Sequence, residues 1–209
     1  MTRLEELSDR YREHHRSSRS EDFVFGGDER ADAFRRRVGG PDLAVLDLGC
    51  RYGALTRAYA AGNAVIGVDV DRDALAEASK LGIETRWADV EQPLPFADAS
   101  FDVVVAGELL EHVRDPAAVV DEARRLLRPT GVFVGSVPNA YRLKNRLRFA
   151  TGTPPESDPT HLHMFRQADV RELLHDFEHV ELQLISSRFL RVHRGLFAND
   201  IVFSGRRPR

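Results

Sequence analysis

Long apolar runs are missing from this chain, and that absence is the first constraint on what it can be. No run approaches the ~18 residues needed to cross a bilayer, so nothing in the sequence reads as a transmembrane helix. Cysteine is nearly absent as well: Cys50 stands alone, so no internal disulfide can form and a reducing compartment is expected. The opening residues, Met-Thr-Arg-Leu-Glu-Glu-Leu, are polar and helical in pattern, unlike a secretory signal. The expected location is the cytoplasm. A large excess of either charge is also lacking. A net charge of −3 gives no broad electrostatic drive toward nucleic acid, although local basic patches remain. Internal repeats and long low-complexity tracts are absent.

What is present is 42% hydrophobic and 30% charged residues over 209 positions, enough for one globular domain with a sizeable core. A single domain over 1–209 is expected, with polar helices at 2–17 and 28–38 forming an N-terminal helical cap over 1–40. Loop chemistry at 17–27 separates them. From residue 43, apolar runs at 43–48, 64–70, 83–88, 101–106 and 132–137 alternate with helices expected at 53–61, 71–80 and 115–128. Short continuous apolar runs fit strands buried on both faces, hence a parallel sheet. Asp71 and Asp115 stand where helix starts favour Asp, and Pro116 suits a first helical position. Pro129-Thr130-Gly131 is expected to end the third helix. Beyond residue 137 the alternation breaks into an insertion, 138–165, expected to cover the substrate. A helix at 167–177 and strands at 179–188 and 200–205 follow, the two strands reading as an antiparallel hairpin at the sheet edge.

Three strand ends carry the chemistry. The first runs Asp47-Leu48-Gly49-Cys50-Arg51-Tyr52-Gly53, and glycines at a strand-to-helix turn let a ligand approach the backbone. Asp47, before the first glycine, disfavours a pyrophosphate and suits a ligand bearing an ammonium group. Asp69, ending the second strand about 20 residues on, is placed to accept hydrogen bonds from ribose hydroxyls. Asp89 ends the third, beside the same crevice. A nicotinamide fingerprint would need a third glycine in register, which is lacking.

Together, Asp47-Leu48-Gly49-Cys50-x-x-Gly53, Asp69-Val70 and Asp89-Val90 resemble the class I methyltransferases that use S-adenosylmethionine. The resemblance implies a Rossmann-like, seven-stranded, mostly parallel α/β sheet with an antiparallel last strand and helices on both faces. It places the methionine part of the cofactor at Gly49, Cys50 and Gly53, with Asp47 and Gly107 beside it. It sets the ribose at Asp69 and Val70, and the adenine amine at Asp89 and Val90. The family often has glycine where this chain has Arg51, so that side chain is expected to point away from the cofactor.

The fourth strand leads into Gly107-Glu108-Leu109-Leu110-Glu111-His112. Were a helical turn to begin at Gly107, Glu108, Glu111 and His112 would share one face and could begin a divalent-metal site, with Mg2+ a candidate. This E-x-x-E-H followed by a downstream histidine resembles the ubiquinone-pathway O-methyltransferases and the small-RNA 3′-terminal 2′-O-methyltransferases. The carry-over makes Glu108, Glu111, His112 and either His161 or His163 metal ligands. Without a metal, Glu108 lines the cofactor pocket, Glu111 and His112 buttress the turn, and His161 or His163 is the natural general base. Either histidine could instead anchor the insertion.

Four cations interleaved with Tyr141, Leu143, Leu147 and Phe149 form a basic stretch, and a second run spans 188–194. Such a stretch is ordinarily a solvated helix face; it could also hold a phosphate, an RNA end or an anionic membrane surface. His14, His15, His175, His179 and His193 read as surface residues. The expected activity is methyl transfer to an oxygen of a small-molecule acceptor. Two alternatives stand beside it: a metal-dependent RNA 3′-terminal 2′-O-methyltransferase, and a non-catalytic cofactor-binding accessory subunit. The stretch from Val137-Pro138-Asn139 to His-x-His-x-Phe also resembles methionine-biosynthesis accessory proteins of this fold.

Overall fold

In the computed structural model, which describes residues 2–18, 27–155, 158, 160–185 and 194–209, each apolar run of the alternating segment forms a strand. These are β1 (Ala44–Leu48), β2 (Ala64–Asp69), β3 (Glu84–Trp87), β4 (Phe101–Gly107) and β5 (Leu127–Pro138); β6 (Glu178–Ile185) and β7 (Asp200–Arg206) complete the sheet. The strand order is β3-β2-β1-β4-β5-β7-β6, with β7 antiparallel to both neighbours and the other pairings parallel. The order reverses between β1 and β4, where open α/β sheets place their ligands.

Residues alternate between two cores because successive side chains of a strand point to opposite faces. Leu46, Val104, Ala106 and Phe133 meet α5 (Pro116–Leu126) and the start of α7 (Gln167–Leu173) on one side. Val45, Val103, Val105 and Val134 meet Phe34 of α2 (Gly27–Val38), Tyr59 of α3 (Arg57–Ala60) and Ala78 of α4 (Arg72–Lys80) on the other. α1 (Arg3–Ser18), α6 (Leu143–Ala150) and α8 (Arg194–Phe197) are the remaining helices. α2 is thus a sheet-covering helix, while α1 lies beside α4 and the ends of β3 and β4.

Local signals account for the element ends. Asp71 accepts from the amides of Asp73 and Ala74, and Asp115 from that of Ala118, each satisfying orphan donors of a first helical turn. Three expectations are corrected. The helix expected at 53–61 shrinks to Arg57–Ala60, since Thr56 spends its hydroxyl on Asp47 and not on a cap. β5 reaches back through Pro129-Thr130-Gly131, because Thr130 and Gly131 pair with the backbone of Arg207. The two late strands pair antiparallel at the sheet edge as expected, with β7 set between β5 and β6 and β6 outermost. α7 ends at Leu173, four residues short of expectation, while Leu174 and Phe177 beyond it stay buried. Residues 19–26 of the expected loop, the end of the strand expected at 179–188 and all but the last residue of the basic run at 188–194, with His193, lie outside the described residues, as do the side chains of His14 and His15. Among the described residues, no helix is long and apolar enough to cross a membrane.

Candidate active site

The turn after β1 is built for close approach. Gly49 and Gly53 have φ of 73° and 77°, and Gly49 and Cys50 both donate to the Val68 carbonyl of β2. A Cβ on Gly49 would stand 3.1 Å from Leu109, and one on Gly107 would stand 2.8 Å from Leu55. Glycine at these two positions therefore lets Leu109 and Leu55 pack directly on the backbone at the ends of β1 and β4. Arg51, between the two glycines, has φ 47°, a left-handed conformation costing a side-chain-bearing residue roughly 1–2 kcal/mol. That conformation explains why glycine suits this position. The Arg51 guanidinium lies 5.6 Å from the centre of the Tyr52 ring.

Three aspartates at strand ends take different partners. Asp47 is buried and accepts from the hydroxyls of Thr56 (2.6 Å) and Tyr59 (2.7 Å). Burial pushes its carboxyl up to about 6, with the two hydroxyls opposing the shift. It therefore ties the glycine turn to α3. Asp69 accepts from the amides of Arg51 (2.9 Å) and Asp71 (2.8 Å), joining the turn to the start of α4. A carboxylate at the end of the second strand is placed to accept hydrogen bonds from ribose hydroxyls. Asp89 accepts from the Glu91 amide at 2.9 Å and pairs with the Arg3 guanidinium of α1 at 3.0 Å. Val70 receives the Trp87 indole on its carbonyl, and Val90 packs against the core. Cys50 sits beneath Gly67, whose Cβ would stand 2.6 Å from the sulfur. The glycine turn after β1 and the carboxylate at the end of β2 suit an adenosine-type cofactor.

No helix begins at Gly107, so Glu108 parts from Glu111 and His112. Glu108 takes φ 54°, accepts from the Ser136 hydroxyl at 2.9 Å and lies 3.3 Å from buried Arg30. Arg30 also pairs with Asp200 at 2.9 Å. Sequence reasoning missed this pair. Its one signal was an arginine four residues before Phe34, on the apolar face of the helix at 28–38. Burial works against the Arg30 charge, but Glu108 and Asp200 outweigh it and raise its pKa. Burial and then Glu108 push Asp200 up to about 7 despite Arg30. Arg30 and then Arg142 favour the charged form of Asp200, but burial and Glu108 outweigh them.

Glu111 is 1% exposed. Neither carboxylate oxygen has a hydrogen-bond partner among the described residues, and burial, then Glu108, holds its pKa well above the usual carboxylate range. Its carbonyl accepts from the amides of Leu162 and His163, which fastens the insertion to the turn. Ligand atoms of Glu111, His112 and His161 all lie within 4.8 Å of one another. The His112 ring meets Thr160 through Nδ1 at 2.9 Å and lies edge-on to His161, 4.7 Å between centres. His163 is elsewhere: its Nε2 lies 2.9 Å from the Val113 carbonyl, an anchoring contact. The structure thus unites Glu111, His112 and His161 and separates Glu108 and His163 from them.

A family profile described as a methyltransferase domain matches residues 46–135, covering the glycine turn and β1 to β5 up to Gly135. A probable S-adenosylmethionine-dependent methyltransferase of Mycolicibacterium smegmatis is 38% identical over 134 residues, 62% of this chain and 49% of that protein. The ubiquinone biosynthesis O-methyltransferase of Pseudomonas paraeruginosa is 38% identical over 116 residues, 50% of each. The chain spans about half the length of these relatives. Among solved structures, a chain of the complex between the Haloferax volcanii Trm112 methyltransferase activator and its methyltransferase is similar, with TM-score 0.72 and 20% identity. That likeness covers 99% of this chain and 98% of that one, and it concerns the fold alone. A methyltransferase from Bacillus halodurans gives TM-score 0.66 at 20% identity, over 88% and 100%. The glycine turn and the acidic strand ends lie within the profile match: residues 46–135 match a methyltransferase domain, and over 62% of its length the chain is similar to a probable S-adenosylmethionine-dependent methyltransferase.

Proposed function

We propose that this chain transfers a methyl group from S-adenosylmethionine to an oxygen of a small-molecule acceptor. Gly49, Cys50, Gly53 and Gly107 would border the methionine part, Asp69 and Val70 the ribose, and Asp89 and Val90 the adenine. Asp47 acts through Thr56 and Tyr59 to hold the turn in shape. When bound, the cofactor supplies a methyl group already activated by its sulfonium, so alignment can carry much of the rate. The acceptor hydroxyl gives its proton to His161, an imidazole being suited to general-base work near neutral pH. Glu111, in the same cluster with ligand atoms within 4.8 Å, positions that imidazole. His163 holds the segment through Val113, and the insertion covers the acceptor. The observation that carries this reading is the buried, hydrogen-bond-free Glu111 carboxylate gathered with His112 and His161. The O-methyltransferase named among the relatives supports oxygen as the acceptor atom.

A second reading is favoured by the same cluster: a divalent metal held by Glu111, His112 and His161. Two imidazoles and one carboxylate suit a transition ion better than Mg2+, which demands octahedral oxygen ligation. Glu108 is engaged by Ser136 and Arg30 and does not belong to this donor set. Calorimetric titration of S-adenosylmethionine, with and without Mn2+ or Mg2+, tests both readings when paired with a transfer assay on hydroxylated acceptors. Binding lost in Asp69→Ala, with turnover that survives chelator, supports the metal-free enzyme. Turnover abolished by chelator and restored by Mn2+ supports the metal. Binding without turnover on any acceptor would point to an accessory subunit and overturn both.

A further inference from the structure

Helix α6 is amphipathic the wrong way round for a helix of a soluble surface. Its one buried residue is Asn145, which donates to the Ala140 carbonyl at 3.0 Å, while Leu147 and Phe149 are 59% and 51% exposed. A core-facing helix buries the apolar side chains and turns the amide outward. The neighbouring segment continues the pattern. Residues 139–140 run beside Phe165, joined by an isolated bridge and by the Ala140 amide on the Phe165 carbonyl. Along the extended stretch 161–165, His161 reaches the Glu111 cluster and His163 reaches Val113, while the alternate residues Leu162 and Met164 are 58% and 52% exposed. The apolar side chains therefore stand on the outer surface of the segment that carries the proposed base. Single exposed apolar residues are ordinary. Four large ones on two segments that meet at Ala140 and Phe165, with Tyr141 also exposed, point to an interaction site.

The charge of the patch identifies what covers it. Residues 139–155 contain Arg142, Lys144, Arg146 and Arg148 and no acidic residue. Among the described residues, neither Arg146 nor Arg148 has a carboxylate within ion-pair distance; each donates its Nε to a backbone carbonyl, of Tyr141 and Pro154 respectively. Cations beside exposed leucine, methionine and phenylalanine match a bilayer, whose phosphates take the charge and whose acyl boundary takes the apolar tips. An RNA strand would use the arginines and could stack on Tyr141 or Phe149, but gains nothing comparable from Leu147, Leu162 or Met164.

We propose that α6 and the 161–165 segment form a docking face for an anionic lipid surface, through which a lipid-soluble hydroxylated acceptor reaches His161. Docking rests on the exposed residues alone; only the delivery of the acceptor rests on the function proposed above. Co-sedimentation with phosphatidylcholine vesicles, with and without phosphatidylglycerol, tests the docking, using the full chain and a single-stranded RNA as competitor. Binding should require the anionic lipid and weaken as salt rises. Lys144→Gln, Arg146→Gln and Arg148→Gln should each reduce partitioning about fivefold. Leu147→Asp with Phe149→Asp should reduce it at least tenfold while thermal melting and S-adenosylmethionine affinity stay unchanged, since both side chains are exposed. Failure to bind anionic vesicles would overturn the proposal. So would binding insensitive to the Leu147/Phe149 pair, displacement by RNA, or a stable dimer in the absence of lipid that the same pair dissolves. None of these results bears on cofactor binding or on turnover with soluble acceptors, so the two proposals fail separately.

Discussion

Single residues carry the sharpest expectations. Arg51 holds a left-handed backbone where glycine would rest without strain. Arg51→Gly should keep cofactor binding and change stability by less than about 1 kcal/mol, since relieved strain offsets the added freedom of the unfolded chain. A large loss would mean that the arginine itself contacts the cofactor. His161 and His163 looked alike in the sequence, two residues apart in one loop. The structure gives Val113 to one and Glu111 to the other. His161→Ala should lower kcat about a hundredfold or more, whereas His163→Ala should act mainly on KM and melting temperature, as read from steady-state kinetics and thermal scans. Equal kcat losses would contradict the division of roles. Asp69 and Asp89 were legible because strand ends are short and their spacing is fixed by the sheet. Glu108 was not, because a positive φ at an acidic residue leaves no trace in spacing.

At the scale of elements, apolar alternation located β1 to β5 within a few residues, and Asp71 and Asp115 marked two helix starts. The misjudged ends were those settled by distant chain: β5 lengthens because Arg207 pairs with Thr130 and Gly131, and α3 shortens because Asp47 claims Thr56. Arg30 and Asp200 are 170 residues apart in sequence and were invisible as a pair. α5 presents the opposite case. Its apolar residues Val119, Val120, Ala123 and Leu126 recur at helical spacing, and all four are buried. Leu126→Ala should cost about 2–5 kcal/mol of stability, measured by urea denaturation. A cost below 1 kcal/mol would show that the helix repacks.

Across the whole molecule, stability follows its buried carboxylates. Asp47 at about 6 and Asp200 at about 7 lie above unfolded values near 4. Between those limits the folded chain holds more protons than the unfolded chain, so these groups lower stability as pH rises from about 4 to about 7. Asp102, Glu122 and Asp169, with depressed values, act oppositely and lose their contribution as acid protonates them. Melting temperature should therefore peak in mildly acidic buffer and decline toward pH 8. Glu111→Gln should soften that decline while suppressing methyl transfer, and the gap between variant and wild-type melting temperatures should widen with pH. A gap independent of pH would show that Glu111 is ionised throughout.

The placement of β7 inside the sheet has a consequence for biosynthesis. During translation, β5 and β6 both emerge before residues 200–206, the segment that bridges them. Until that segment leaves the ribosome, β5 offers an open edge and β6 lacks its partner, so the nascent chain passes through a stage exposed to mispairing. The sheet closes from its middle, and the final piece is the one that joins its two parts.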